Sequence, residues 1–127
     1  MAMEAATIAL GASVSASFPV QFENLVGVYT PQMEATTEYL YVQWTGDVNP
    51  ELADSDRTFV YLKQGNTASP GDYLAIPVSA SAAQAVALLP DYALIPGRIR
   101  FVAATGAGVA VVQTAAKAII AYTRRRS

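Results

Sequence analysis

What most constrains this chain is the rhythm of its turns. Short β-branched, aromatic or alternating runs are cut by Gly, Pro, Asn or Asp at intervals of roughly ten residues, the spacing of sandwich and barrel strands. Residues 39–45 form the clearest strand, with Leu40, Val42 and Trp44 on one side and Tyr39, Tyr41 and Gln43 on the other. Successive side chains of a strand point to opposite faces, so the Trp44 side is expected to be core. Residues 98–103 repeat the pattern, with Ile99, Phe101 and Ala103 inward and Arg98 and Arg100 outward. Two short strands are expected at 6–10 and 13–18 around Gly11, the second closed by Pro19, and another at 24–29, ended by Pro31. Strands at 57–63 and 73–78 flank a loop at 65–71, and Pro77 marks an early end or a sheet edge. Residues 79–89 are alanine-rich, so helix propensity competes there with a strand at about 85–88. A loop at 89–97 and a turn at 105–108 follow, then a last strand at 113–123 for which propensity alone also admits helix.

No repeat, heptad or linker divides residues 1–127. The expected architecture is therefore one all-β domain, an antiparallel, jelly-roll-like β-sandwich of about eight to nine strands with short flexible ends at about 1–5 and 124–127. A chain of 127 residues supports one core. Alanine buries little area, so Phe18, Phe22, Leu25, Leu40, Trp44, Phe59, Leu62, Leu74, Phe101 and Ile120 are expected to supply most of it. Charged residues are only 14% of the chain, well below the usual quarter or so, and a surface that poor in charge suits a protein held in an assembly.

The net charge of −2, with no basic stripe along any expected element, lacks the electrostatic footprint of nucleic-acid binding. Arg124, Arg125 and Arg126 form a basic run that suits either contact with an acidic or phosphate-bearing neighbour or plain solvation of the tail. No export signal is visible, and residues 103–121 are too interrupted by glycines, Gln113 and Lys117 to cross a membrane as a helix. The expected product is soluble and made in the host cytoplasm, with no membrane partner.

Histidine and cysteine are both absent, which removes the commonest general base, the thiol nucleophile and the thiolate metal site. No enzyme activity, cofactor or catalytic residue is expected. Gly106 and Gly108 lack the third glycine and the βαβ setting of a dinucleotide loop and read as a hairpin turn. The acidic loop with Asp47, Asn49, Glu51, Asp54 and Asp56 is the one cluster with ligands for calcium, though its spacing is not that of an EF-hand and a solvated loop is the plainer reading. Paired-carboxylate glycosidase chemistry would need one of these acids held partly buried in a sugar cleft. Tyr39 and Tyr41, facing away from Trp44, are candidates for binding a protein or a sugar, or simply cover the outer face of a sheet.

Read whole, TIALGASVS (7–15), LVGVYTP (25–31) and YLYVQ (39–43), then LLPDYALIPGRIRFV (88–102) and VQTAAKAIIAY (112–122), resemble small β-sandwich virion proteins of tailed bacteriophages. The similarity covers nearly the whole chain and lies in strands and turns rather than in a catalytic signature. It implies a capsid decoration, or cement, protein on the virion surface. Such a protein binds the major capsid protein and associates with itself, usually as a trimer. Relatives of this fold act as head fibres or tail components, which keeps open a binding module for cell-surface carbohydrate. The acidic loop at 47–56 replaces that group's usual Asp-Gly turn, and no functional residue carries over.

Overall fold

A computed structural model describes residues 1–63 and 73–126 of the chain; the expected loop at 65–71 lies outside them. The described residues form nine strands: β1 (Ala2–Ile8), β2 (Phe18–Val20), β3 (Glu23–Thr30), β4 (Tyr39–Thr45), β5 (Val60–Tyr61), β6 (Ala75–Pro77), β7 (Gln84–Ala93), β8 (Gly97–Ala104) and β9 (Lys117–Arg125). They form two antiparallel sheets, β1-β9-β3-β7 and β2-β8-β4-β5, with β6 sharing the far side of β4 with β5. Counting β5 and β6 as one position makes the two orders those of a jelly roll, in which successive strands change layer at every step except from β4 to β5 and β6. The expected sandwich is therefore what the chain forms.

Alternation along each strand builds the core between the sheets. From the four-stranded sheet come Ala6, Ile8, Leu25, Val28, Ile119 and Ala121; Phe18, Val20, Leu40, Val42, Ile76, Ile99, Phe101 and Ala103 meet them from the other. Three expected core residues lie elsewhere. Ile120 is on the outer face because its neighbours Ile119 and Ala121 take the inner one. Phe22 sits in the turn before β3 and is 66% exposed. Phe59 lies beneath the Arg100 guanidinium, 3.8 Å from its ring centroid.

Several boundaries differ from the sequence expectation. Residues 2–8 are not a flexible end: β1 pairs with β9 in seven consecutive positions, from Ala2 opposite Thr123 to Ile8 opposite Lys117. The two ends of the chain satisfy each other's backbone groups, which neither does alone. Of the stretch expected as a strand at 13–18, Phe18 opens β2 and the rest makes only the bridges Ser15 to Ile8 and Val14 to Val102, while Pro19 lies inside β2 rather than before it. Pro19 is tolerated because β2 is an edge strand. Of the expected loop at 89–97, only residues 94–96 are loop; 89–93 are the second half of β7, which runs through a cis Leu89–Pro90 bond, with a register shift opposite Leu25/Gly27. β7 is also an edge, so its missing proline N–H breaks no inner ladder.

Gln113, expected in the last strand, precedes β9 and is fully buried. Its side chain accepts from the Glu34 amide and donates to Thr37 Oγ1 and the Val111 carbonyl, tying two loops together. The turn at 105–108 is as expected, closed by the Gly108 amide on the Thr105 carbonyl with Gly108 at φ +84°.

Trp44 reaches the rim of the core, where its indole N–H donates to the Ile95 carbonyl at 3.0 Å. Gly97 makes this seat available. A Cβ there would press on the Thr45 carbonyl oxygen and come within 2.5 Å of the indole ring nitrogen. Gly97→Ala is accordingly expected to cost about 1–3 kcal/mol, read as a lower urea midpoint at unchanged m-value.

Candidate functional site

Three surfaces carry the candidate residues. The first is the outer face of the five-stranded sheet, where Tyr39 and Tyr41 point away from the core as expected. Because β5 and β6 both flank β4, they bring two further tyrosines to the same place. Tyr61 and Tyr73 stack at 4.9 Å with an interplanar angle of 10°, and Tyr41 meets both edge-on at 6.0 and 6.4 Å. Tyr39 leans on Tyr41 at 6.2 Å, and Lys63 Nζ lies 5.6 Å from the Tyr73 centroid. Tyr41 is buried and forms the floor, whereas Tyr39, Tyr61 and Tyr73 are half-exposed. Burial raises the Tyr41 pKa, with Tyr39, Tyr61 and Glu38 adding to it, so its phenol stays neutral. Sequence reasoning singled out Tyr39 and Tyr41 and missed Tyr61 and Tyr73, whose only signal was their place in runs that had to pair somewhere.

At one end of this sheet the acidic loop is tied down by arginines. Asp54 begins a 3-10 turn (Asp54–Asp56) and accepts from the Ser17 hydroxyl, the Ser17 amide and Arg57 Nη1 at 2.6–2.8 Å. The Ser17 hydroxyl accepts in turn from Arg98 Nε, and Arg57 Nη2 donates to the Asn49 carbonyl. Burial would raise the Asp54 pKa, but the Ser17 and Arg57 hydrogen bonds and the Arg57 charge outweigh it and hold the carboxyl below its usual range. Asp47 and Asn49 accept from backbone amides two residues on, as in turns that close on themselves. Among the described residues no three carboxylate, histidine or cysteine side chains are grouped to hold a metal ion. The loop's best carboxylate is an arginine's partner.

The second surface is the terminal basic run. Arg124 pairs with Asp91, and Arg126 donates to the Leu94 carbonyl at 2.8 Å with its guanidinium 5.7 Å from the Phe22 ring. Arg124 and Arg125 belong to β9, opposite Asn24 and Glu23, and the Arg126 amide bonds the Phe22 carbonyl. The run is thus fixed to the sandwich rather than trailing from it. Arg125 alone of the three makes no side-chain hydrogen bond or ion pair among the described residues.

Sequence reasoning missed the third surface, the outer face of the four-stranded sheet. Register sets Met3, Tyr122, Gly27 and Ala87 in one row across β1, β9, β3 and β7, and Ala5, Ile120, Tyr29 and Ala85 in the next. Neither row holds a charge. Met3 is 68% exposed, and Gly27 leaves a shallow depression of about 290 Å³ lined by Met1, Val26, Ala85, Ala87 and Tyr122. The individual residues are small or scattered in sequence; only the ladder gathers them. Among the described residues there is no α-helix, hence none long and apolar enough to cross a membrane.

Comparisons with protein families, curated proteins and solved structures find no match, so the surfaces are read from their own chemistry.

Proposed function

We propose that this chain is a bacteriophage capsid decoration protein. It binds the outer surface of the shell without catalysis, associates with its own copies, and stabilises contacts between major capsid subunits. The observation that carries the reading is the uncharged middle of the outer face of the four-stranded sheet. Two adjacent rows of four residues each without a charge are unusual on a freely exposed sheet face, which normally alternates polar residues outward. The virion-like run of strands and turns along the chain supports the same reading. Jelly rolls serve both viral shells and sugar-binding domains, so the fold is compatible with the proposal without choosing it.

Particles of the encoding phage are expected to carry hundreds of copies, seen by mass spectrometry and as density over capsid joints by cryo-electron microscopy. Ile120→Glu, which sets a charge in the middle of the face, is expected to weaken binding to stripped shells about tenfold or more while leaving the urea midpoint nearly unchanged. Particles that lack the protein, or shells that bind the variant as well as the parent, would sink the reading.

The tyrosine cluster favours a second reading, a head-fibre or tail module for cell-surface carbohydrate, because half-exposed aromatic rings suit sugar faces. Glycan-array binding lost on Tyr73→Ala, with a few dozen copies or fewer per particle, would select it over the first.

A further inference from the structure

We infer that Arg100 and the stacked tyrosines beside it form a site for a carboxylated sugar, in which the guanidinium takes the carboxylate and Tyr61 and Tyr73 take the ring. This rests on the carbohydrate reading of the tyrosine cluster, and adds the ligand's charge and the residue that reads it. It is compatible with decoration, because a sandwich held to a shell by one outer face turns the other away from it.

Three arginines gather where the acidic loop meets the five-stranded sheet, and two are fully engaged. Arg57 is held by Asp54 and the Asn49 carbonyl, and Arg98 donates to the hydroxyl and carbonyl of Ser17. Arg100 differs. Its Nε donates to Gln43 Oε1 at 2.7 Å and its guanidinium lies 3.8 Å from the Phe59 ring centroid, which fixes the plane of the fork. Among the described residues neither Nη makes a hydrogen bond and no carboxylate pairs with it. The group is half-buried, and burial lowers its pKa although Asp54 and Tyr61 oppose this. A guanidinium held rigid, part desolvated and without a counter-charge offers the two parallel donors that a carboxylate fills.

Alternation puts the aromatic part next to it. Phe59, Tyr61 and Lys63 are every second residue through β5 and share the outer face, while Leu62 is buried on the other. Register agrees, setting Arg100, Gln43 and Tyr61 in one row across β8, β4 and β5. Tyr61 stacks on Tyr73, and Lys63 closes the far side. Among the described residues Tyr92 alone has a tyrosine hydroxyl in a hydrogen bond, so the phenols of Tyr39, Tyr61 and Tyr73 are open to a ligand's hydroxyls.

This combination selects the class of ligand. A ring with apolar C–H faces, several hydroxyls and one carboxylate matches aromatic rings, open phenols and a free fork in one place. An acidic peptide would draw on a groove or on backbone pairing at an edge, whereas these groups point out of the sheet's face. A nucleic acid would need a track of cations. Among the described residues Arg100 and Lys63 are the two cations set against rings of this face, on a chain of net charge −2.

Titration of the full chain with glucuronate, glucose, inorganic phosphate and a glutamate-rich peptide, followed by amide NMR shifts, tests this. Glucuronate is expected to bind about tenfold or more tighter than the other three, with shifts centred on residues 59–63, 73 and 98–102. Arg100→Lys keeps the charge but loses the fork and is expected to weaken glucuronate about tenfold, whereas Arg100→Gln lowers it to the level of glucose. Lys117→Gln, which removes one positive charge from the other sheet, is expected to leave it within about twofold. Glucose bound as tightly as glucuronate, glucuronate indifferent to Arg100→Lys, or phosphate or the peptide bound equally well would each overturn the assignment. Glucose bound at Tyr61 and Tyr73 without help from Arg100 removes the acid site and keeps the carbohydrate reading. No sugar bound at all removes both and leaves decoration to the shell-binding test.

Discussion

Asp54→Ala is expected to destabilise the fold by about 2–4 kcal/mol, a large effect for a loop carboxylate. The reason lies in what it leaves behind. The Arg57 side chain is only 4% exposed, and with Asp54 gone its guanidinium keeps the Asn49 carbonyl but has no counter-charge. Breaking a buried pair by removing one partner costs more than the pair contributes, because the surviving charge stays desolvated. The Ser17 amide and hydroxyl lose their acceptor as well, so the loop at 46–56 detaches from β2 and the Arg98 contact loosens. Asp54 is 28% exposed, which keeps the estimate below that for a fully enclosed pair. pH provides a second readout. The folded carboxyl titrates below its unfolded value of about 3.9, so its stabilisation is fully present above that value and is lost as pH falls through the folded one. The urea midpoint of the parent is expected to drop more steeply below about pH 4 than that of Asp54→Asn. Parallel acid limbs would show that Asp54 contributes nothing to the loop's attachment.

Phe101→Ala is expected to cost about 3–5 kcal/mol and to lower the melting temperature by about 3–6 °C for each of those. Phe101 is fully buried in β8, an inner strand flanked by β2 and β4, and packs against Phe18 with ring centroids 6.2 Å apart. The β4 ladder holds its backbone on one side, and on the other its amide and carbonyl are tied to Ser15, so the strand cannot collapse into the cavity. Phe101→Leu, which keeps much of the volume, should cost less than about 1.5–2 kcal/mol. Equal losses in the two variants, by calorimetry or urea titration, would show that the site relaxes around a void.

Much of the fold was legible in the residues. A two-residue period needs no knowledge of neighbours, so Leu40 and Val42 against Tyr39 and Tyr41, and Ile99 and Phe101 against Arg98 and Arg100, sort correctly between core and outer face. Boundaries fared worse where local signals compete with tertiary pairing. Pro90 reads as loop until an edge position makes its missing N–H harmless, and residues 2–8 read as a free end until β9 comes beside them. Of the candidate site residues, Tyr39 was rightly placed on an open surface, whereas Tyr41 lies beneath Tyr61 and Tyr73. Two of the three terminal arginines are held by Asp91 and the Leu94 carbonyl.

The amino-acid order by itself determined the class of structure, the inward sets of β4 and β8 and the absence of imidazole and thiol chemistry, because each depends on residue type and local period alone. The tertiary structure alone decided which strands became neighbours. That choice placed Tyr61 and Tyr73 around Tyr41, Asp54 against Ser17, and Met3, Tyr122, Gly27 and Ala87 in one uncharged row. Pairing across such distances depends on loop closure and on two sheets burying each other's inner faces, and no local pattern encodes either.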